Sequence, residues 1–197
     1  MRLLNFKRIL AGVIAVGTAY GLVASSFTPA GVSFQSGGGM GAVSAGAGWI
    51  YGKANSWESE IFIGLIPGYD SGSAKAALAL KENYVPWHIS LNRRFTLEPL
   101  TASVYLTTVV SKRFWVKQPD RYPSGYYGLS TKVRGNIAIG QRLRWQLPLQ
   151  SGIIDSISAY YELGTCDIYV LSAAGNHEIK PHDWLQLCIG IKINFRK

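Results

Sequence analysis

The chain has 197 residues, a length that suits one domain, with 22 glycines, only 16% charged residues and a mean hydropathy of +0.11. Outside the N-terminal segment no apolar run is long enough for a spanning helix, which excludes a helical membrane bundle. The combination suits a β protein with much of its surface out of water, and the formal net charge of +9 calls for an anionic partner or a solvated basic surface.

Residues 1–30 have the layout of a secretory signal. Arg2, Lys7 and Arg8 form a basic start, Ile9 to Ala24 an apolar run, and small residues allow cleavage after Ala24 or Ala30. The run is short for a spanning anchor and diluted by Gly and Thr, and no cysteine marks a lipoprotein. Without those three cations the net charge falls from +9 to +6. An exported chain of that charge points to anionic lipid or lipopolysaccharide phosphate rather than nucleic acid.

Residues 31–41 (GVSFQSGGGMG) read as a flexible lead-in, with the barrel proper expected over 42–197. Ala42–Tyr51 alternates as a first strand, with Trp49 and Tyr51 on one face and Ser44, Gly46 and Gly48 on the other. Trp57–Ile66 places Trp57, Ile61, Ile63 and Leu65 opposite Glu58 and Glu60. A hairpin centred near Asn55 brings Trp57 beside Tyr51 with both alternations in register. After the turn PGYDSGS, residues 74–86 alternate less cleanly, 87–98 read as a loop, and 99–110 as a β-branched strand. The stretch 111–127, with two prolines, breaks the pattern.

The clearest signal follows. In 129–145 (LSTKVRGNIAIGQRLRW), Leu129, Val133, Ile137, Ile139, Leu143 and Trp145 alternate with Lys132, Arg134, Asn136, Arg142 and Arg144. That period is a strand between an apolar and a polar medium; a helix would leave no apolar stripe. Strands at 153–163 and 166–172 follow. The chain closes with 184–195, where Leu187, Ile189, Ile191, Ile193 and Phe195 oppose Cys188, Gly190 and Lys192.

Alternation alone does not distinguish a membrane barrel from a soluble lipid-binding barrel of reversed polarity. Three features favour lipid outside. The six tryptophans, Trp49, Trp57, Trp87, Trp115, Trp145 and Trp184, fall at or near strand ends, as in two aromatic girdles that Tyr51 would join. The opposite face is rich in Gly, Ala and Ser, as a narrow lumen requires. The last strand ends on Phe195, and this ending resembles the assembly signal of bacterial outer-membrane barrels, although Arg196 and Lys197 extend beyond the aromatic. The stretches ALKENYVPW, DRYPSGYYG and YYELGTCDIYVLS are similar to those of an uncharacterised family of small outer-membrane barrels from Gram-negative bacteria. That resemblance implies location and fold but no activity.

The lumen side carries charges that need partners, because unpaired buried charge is costly. Glu58, Glu60 and Glu162 are the candidates to neutralise Lys132, Arg134, Arg142 and Arg144, with Lys192 in the same polar lumen, and a hairpin centred near Leu149 puts Glu162 opposite Asn136 and diagonal to Arg134. Cys166 and Cys188 come nearly opposite if 174–183 is a hairpin loop, so a disulfide and two buried thiols are both open. His88 and Ser90 share one face of an extended segment, and this HxS spacing resembles the His/Ser pair of outer-membrane lipid A 3-O-deacylases, where a histidine base activates a serine. Asn92 stands one residue later than in that family, and Glu98 is merely nearby. A zinc-protease HExxH is absent, since Pro181 stands where His177 would need its partner; His182 is one residue too late, and no metal or other cofactor is expected. Lys112, Arg113, Lys117 and Arg121, mixed with Trp115 and tyrosines, fit an interfacial loop or a lipopolysaccharide contact.

The expectation is therefore an all-β protein: a single antiparallel up-and-down membrane β-barrel of eight strands, or alternatively ten. It would be a monomer in a Gram-negative outer membrane, contacting lipid and lipopolysaccharide, and delivered to the outer-membrane assembly machinery through its last strand. Its role would be structural or interactive, with acyl hydrolysis of lipid A or phospholipid and a minor pore as alternatives. One tension stands: with eight strands counted this way, 111–127 falls on the periplasmic side with the termini, where turns are usually short.

Overall fold

The computed structural model describes residues 28–68, 73–110, 133–148, 152–175, 180 and 184–196. Nine strands appear in chain order: β1 (Gly31–Gly37), β2 (Val43–Tyr51), β3 (Trp57–Ile66), β4 (Lys75–Tyr84), β5 (Ile89–Ser90), β6 (Phe95–Val110), β7 (Val133–Gln146), β8 (Ile154–Cys166) and β9 (Gln186–Phe195). A helix, α1 (Asp167–Gly175), lies between β8 and β9. Eight strands pair antiparallel with their neighbours, β4 closes on β6, and β9 returns to β1; the short β5 only flanks β6. The result is a closed up-and-down barrel, and closure leaves no strand edge unpaired around the ring.

Strand tilt follows from the stagger. Paired residues lead from Gly31 through Gly48, Glu60, Lys81, Tyr105 and Asn136 to Cys166. The opposite route from Gly31, through Asn194, reaches Ser156, ten residues earlier on β8. That stagger over eight strands tilts them by about 40°, and leaves an interior that side chains can just fill.

The count of eight matches expectation, but two members differ. The expected lead-in supplies β1, whose Val32 and Phe34 turn outward and Ser33 and Gln35 inward. The glycines after it make a tight turn: Gly37, Gly38, Gly39 and Gly41 all have positive φ, which L side chains rarely adopt. The expected strand 166–172 is instead the start of α1, despite its β-prone Ile, Tyr and Val. Here context overrides propensity: at the first residue of the helix, Asp167 accepts the adjacent Ile168 N–H at 2.8 Å and, from β7, the Gly135 N–H at 3.4 Å.

Moving one strand to the front reverses the direction of the next six, β2, β3, β4, β6, β7 and β8, and leaves that of the closing strand unchanged. The ends of β6 and β7 that flank 111–132 therefore lie at the far end of the barrel, opposite the chain termini, and the tension over that segment disappears. Part of the expected loop 87–98 is also ordered, as the hairpin of β5 with the start of β6.

Candidate functional site

Because side chains alternate along each strand, one set fills the lumen and the other forms the outer wall. The outer set is mainly apolar: Ile63, Ile139 and Ile189 are 62%, 61% and 59% exposed, with Phe34, Leu78 and Ile191 continuing the belt on neighbouring strands, and polar side chains interrupt it at Gln141 and at Ser59 and Glu82. The inner set divides into two layers.

Toward the far end the lumen carries no buried ion pair among the described residues and packs an apolar cluster beside neutral polar groups such as Asn136 and Thr107. Met40, carried inward by the glycine turn, is 1% exposed and packs with Phe62, Ala79, Tyr105 and Ala138. Gln35 donates to its sulfur at 3.1 Å, and the Tyr105 hydroxyl donates to the Gly38 carbonyl at 2.9 Å, so the turn is tied down from both sides.

Toward the terminal end the lumen is ionic. Arg142 makes a two-pronged pair with Glu58, with both bonds at 2.8 Å, the fork geometry that suits guanidinium and carboxylate. Lys192 donates to the same Glu58 at 2.9 Å and lies 3.2 Å from Glu60. Glu60 also accepts from Ser33 at 2.6 Å and from Asn83 at 2.8 Å. Deeper in, Lys81 holds Glu162 with bonds of 2.6 and 2.8 Å, and its ammonium lies 5.8 Å from the rings of both Tyr105 and Tyr160. Tyr160 itself lies flat on Gly190, where a Cβ would meet its ring at 2.3 Å, and donates to Gln35 at 2.9 Å. At the rim Glu98, fully buried, meets Arg142 at 3.2 Å, Arg144 at 2.5 Å and His88 Nδ1 at 3.1 Å. Four cations (Lys81, Arg142, Arg144, Lys192) thus face four carboxylates (Glu58, Glu60, Glu98, Glu162), and the filling is neutral with His88 uncharged.

Of the expected lumen residues, Glu58, Glu60, Asn136, Arg142, Glu162 and Lys192 are buried there; Arg134 and Arg144 are half-buried, and Lys132 lies outside the described residues. Arg134 faces Asp167 at 4.0 Å rather than Glu162. Glu162 stands opposite Gly140, not Asn136, because β7 and β8 pair onward through Leu147 and Asp155 to a turn that includes Gly152. Lys81, Asn83 and Glu98 were not anticipated as lumen residues. The first two were legible in the period of Ala77, Ala79, Lys81 and Asn83; Glu98 was hidden by the loop reading of its segment.

Other expectations are corrected. Cys166 and Cys188 are free thiols: Cys188 is paired with Glu162, four residues along β8 from Cys166, roughly 13 Å at strand spacing and too far for a disulfide. Trp49, Trp57, Trp87 and Trp145 all lie at the terminal end and Trp184 at the far end, while Trp115 is outside the described residues. Tyr51 does not join the exposed girdle. It is buried against the outer wall, with its hydroxyl bonded to Glu82 and, at 3.0 Å, to Ser59. Ser90 is exposed on β5 and has no hydrogen bond to His88, whose Nδ1 is engaged by Glu98. His177, His182 and the basic–aromatic segment 111–127 lie outside the described residues. Among the described residues no group of His, Cys, Asp and Glu is arranged to hold a metal ion.

Comparison of the chain with protein-family models, with curated proteins and with solved structures finds no match.

Proposed function

We propose that this chain is an integral β-barrel of a Gram-negative outer membrane, with a structural or interaction role and a lumen sealed by its own side chains. The observation that carries the reading is the inversion of polarity: ion pairs fill the inside while Ile, Leu and Phe cover the outside. In water that outer belt would leave a large contiguous apolar surface exposed, whereas in a bilayer it is the favoured boundary. Among the described residues no helix is long and apolar enough to cross a membrane, so the strands would make the crossing. The outward row Leu187, Ile189, Ile191, Ile193 and Phe195 on β9 supports delivery through the outer-membrane assembly machinery, and the apolar belt supports lipid and lipopolysaccharide as surroundings.

The geometry lends no support to the alternatives. With Phe62, Lys81, Glu58 and Lys192 all at or below 1% exposure, side chains occupy the section a pore would need. Ser90 lacks its base, and the HxS pair sits at the terminal end, away from the leaflet that holds lipid A when the termini are periplasmic. Cell fractionation with a heat-modifiability gel tests the proposal. The expected result is a membrane-fraction protein that migrates faster unboiled than boiled; a soluble protein of unchanged mobility would overturn it.

A further inference from the structure

The hairpin of β5 with the start of β6 extends the wall past the rim at the terminal end, and it is built rather than loose. The Leu91 N–H donates to the Phe95 carbonyl at 2.9 Å, and the Asn92 side-chain oxygen accepts the N–H groups of Arg94 and Phe95 at 2.8 and 2.9 Å. The backbone N–H of Gln146, at the end of β7, donates to the Arg94 carbonyl at 2.7 Å and ties the hairpin's tip to the neighbouring strand. Ile89 stands opposite Leu97, which stands opposite Leu143, and Phe95 stands opposite Trp145, so the outward apolar belt runs on to the hairpin without interruption.

Two properties of this extension have no internal explanation. Trp87 and Leu91 are each 57% exposed, with Ile89 and Phe95 open beside them. At the tip, Arg93 and Arg94 are exposed and make no ion pair among the described residues, and Lys53 and Arg196 add positive charge at the same end, where Asp155 is bonded to Gln146. An apolar face ending in unpaired guanidinium groups matches the boundary between acyl chains and phosphodiesters, where aromatic rings settle and arginine forks bind phosphate oxygens.

We propose that this hairpin is a binding platform for anionic phospholipid headgroups in the leaflet at the terminal end of the barrel, with Trp87, Ile89, Leu91 and Phe95 at the acyl boundary and Arg93 and Arg94 on the phosphate. The proposal rests on the membrane reading above. Lipid rather than a protein partner is the occupant, because the apolar face is continuous with the lipid-facing belt and the hairpin's own charges, Arg93 and Arg94, are both positive.

The test uses full-length barrel refolded into phosphatidylcholine, where heat-modifiable mobility checks the membrane reading independently of headgroup charge. Retention of phosphatidylglycerol against phosphatidylcholine is then read by native mass spectrometry, with a parallel arm of lipopolysaccharide. Wild type is expected to prefer phosphatidylglycerol, and Arg93→Gln/Arg94→Gln to lose that preference by on the order of ten- to thirty-fold. Lys75→Gln, at the far end, should leave it unchanged. Raising salt from 50 to 500 mM should weaken retention by wild type, a readout that stands even if the double variant folds poorly. Equal retention of both phospholipids, an unchanged double variant, salt-independent retention, or a preference for lipopolysaccharide would each overturn the platform while leaving a folded barrel in place.

Discussion

The two halves of the lumen solve the same filling problem with opposite chemistry. Toward the far end, Met40, Phe62 and Tyr105 pack as a small apolar core; toward the terminal end, Glu58, Arg142, Lys192 and Glu98 fill similar space with charge. An apolar filling degrades in proportion to the volume removed, because each deleted group costs its transfer energy plus a cavity. The ionic filling is all-or-none by comparison: deleting one partner strands the others in a place that water does not reach.

Predictions that break this contrast run from large to small. Arg142→Leu leaves Glu58 and Glu98 short of their shared cation and should cost about 3–5 kcal/mol in urea unfolding of the vesicle-embedded barrel. Lys81→Met and Glu162→Leu should each cost a similar amount alone, yet the double variant should recover most of it, since an apolar pair of similar volume removes both charges together. A double variant as unstable as the sum of its singles would refute the pairing. In the apolar half, Met40→Ala should cost about 2–4 kcal/mol with no such rescue by a second substitution. Ser90→Ala, on the exposed hairpin face, should change stability by no more than about 0.5 kcal/mol. Thiol titration of unreduced, denatured protein should find two free cysteines, and one disulfide in their place would contradict the β8–β9 register.

Much of the wall was legible in the sequence because period-two alternation is local. The row through Ile137, Ile139 and Leu143, the Tyr51–Trp57 hairpin and the closing strand to Phe195 all sit where their own neighbours predicted. Failures came where local signals conflict with closure. The glycines of 37–41 look like a flexible lead-in, yet the barrel needs β1 beside β9, and the same glycines allow the turn that seats Met40. The segment after Cys166 has strand-like residues, but Asp167 turns it into α1. The ion pairs were the least legible part. Alternation marks Glu58 and Arg142 each as a lumen residue without pairing them, and the partnership of Lys81 with Glu162, 81 positions apart, and of Lys192 with Glu58, 134 apart, exists only across a closed lumen. No pairing of adjacent strands announces those contacts.

The central claim, ions within and lipid without, is tested most directly by Ile139→Arg, which puts a cation in the middle of the outer belt beside the buried Ala138 and Gly140. Unfolding of the barrel from phosphatidylcholine vesicles is the measurement. A lipid-facing Ile139 predicts a loss of about 2–4 kcal/mol. A change within about 0.5 kcal/mol, as for a surface position in water, would contradict the account.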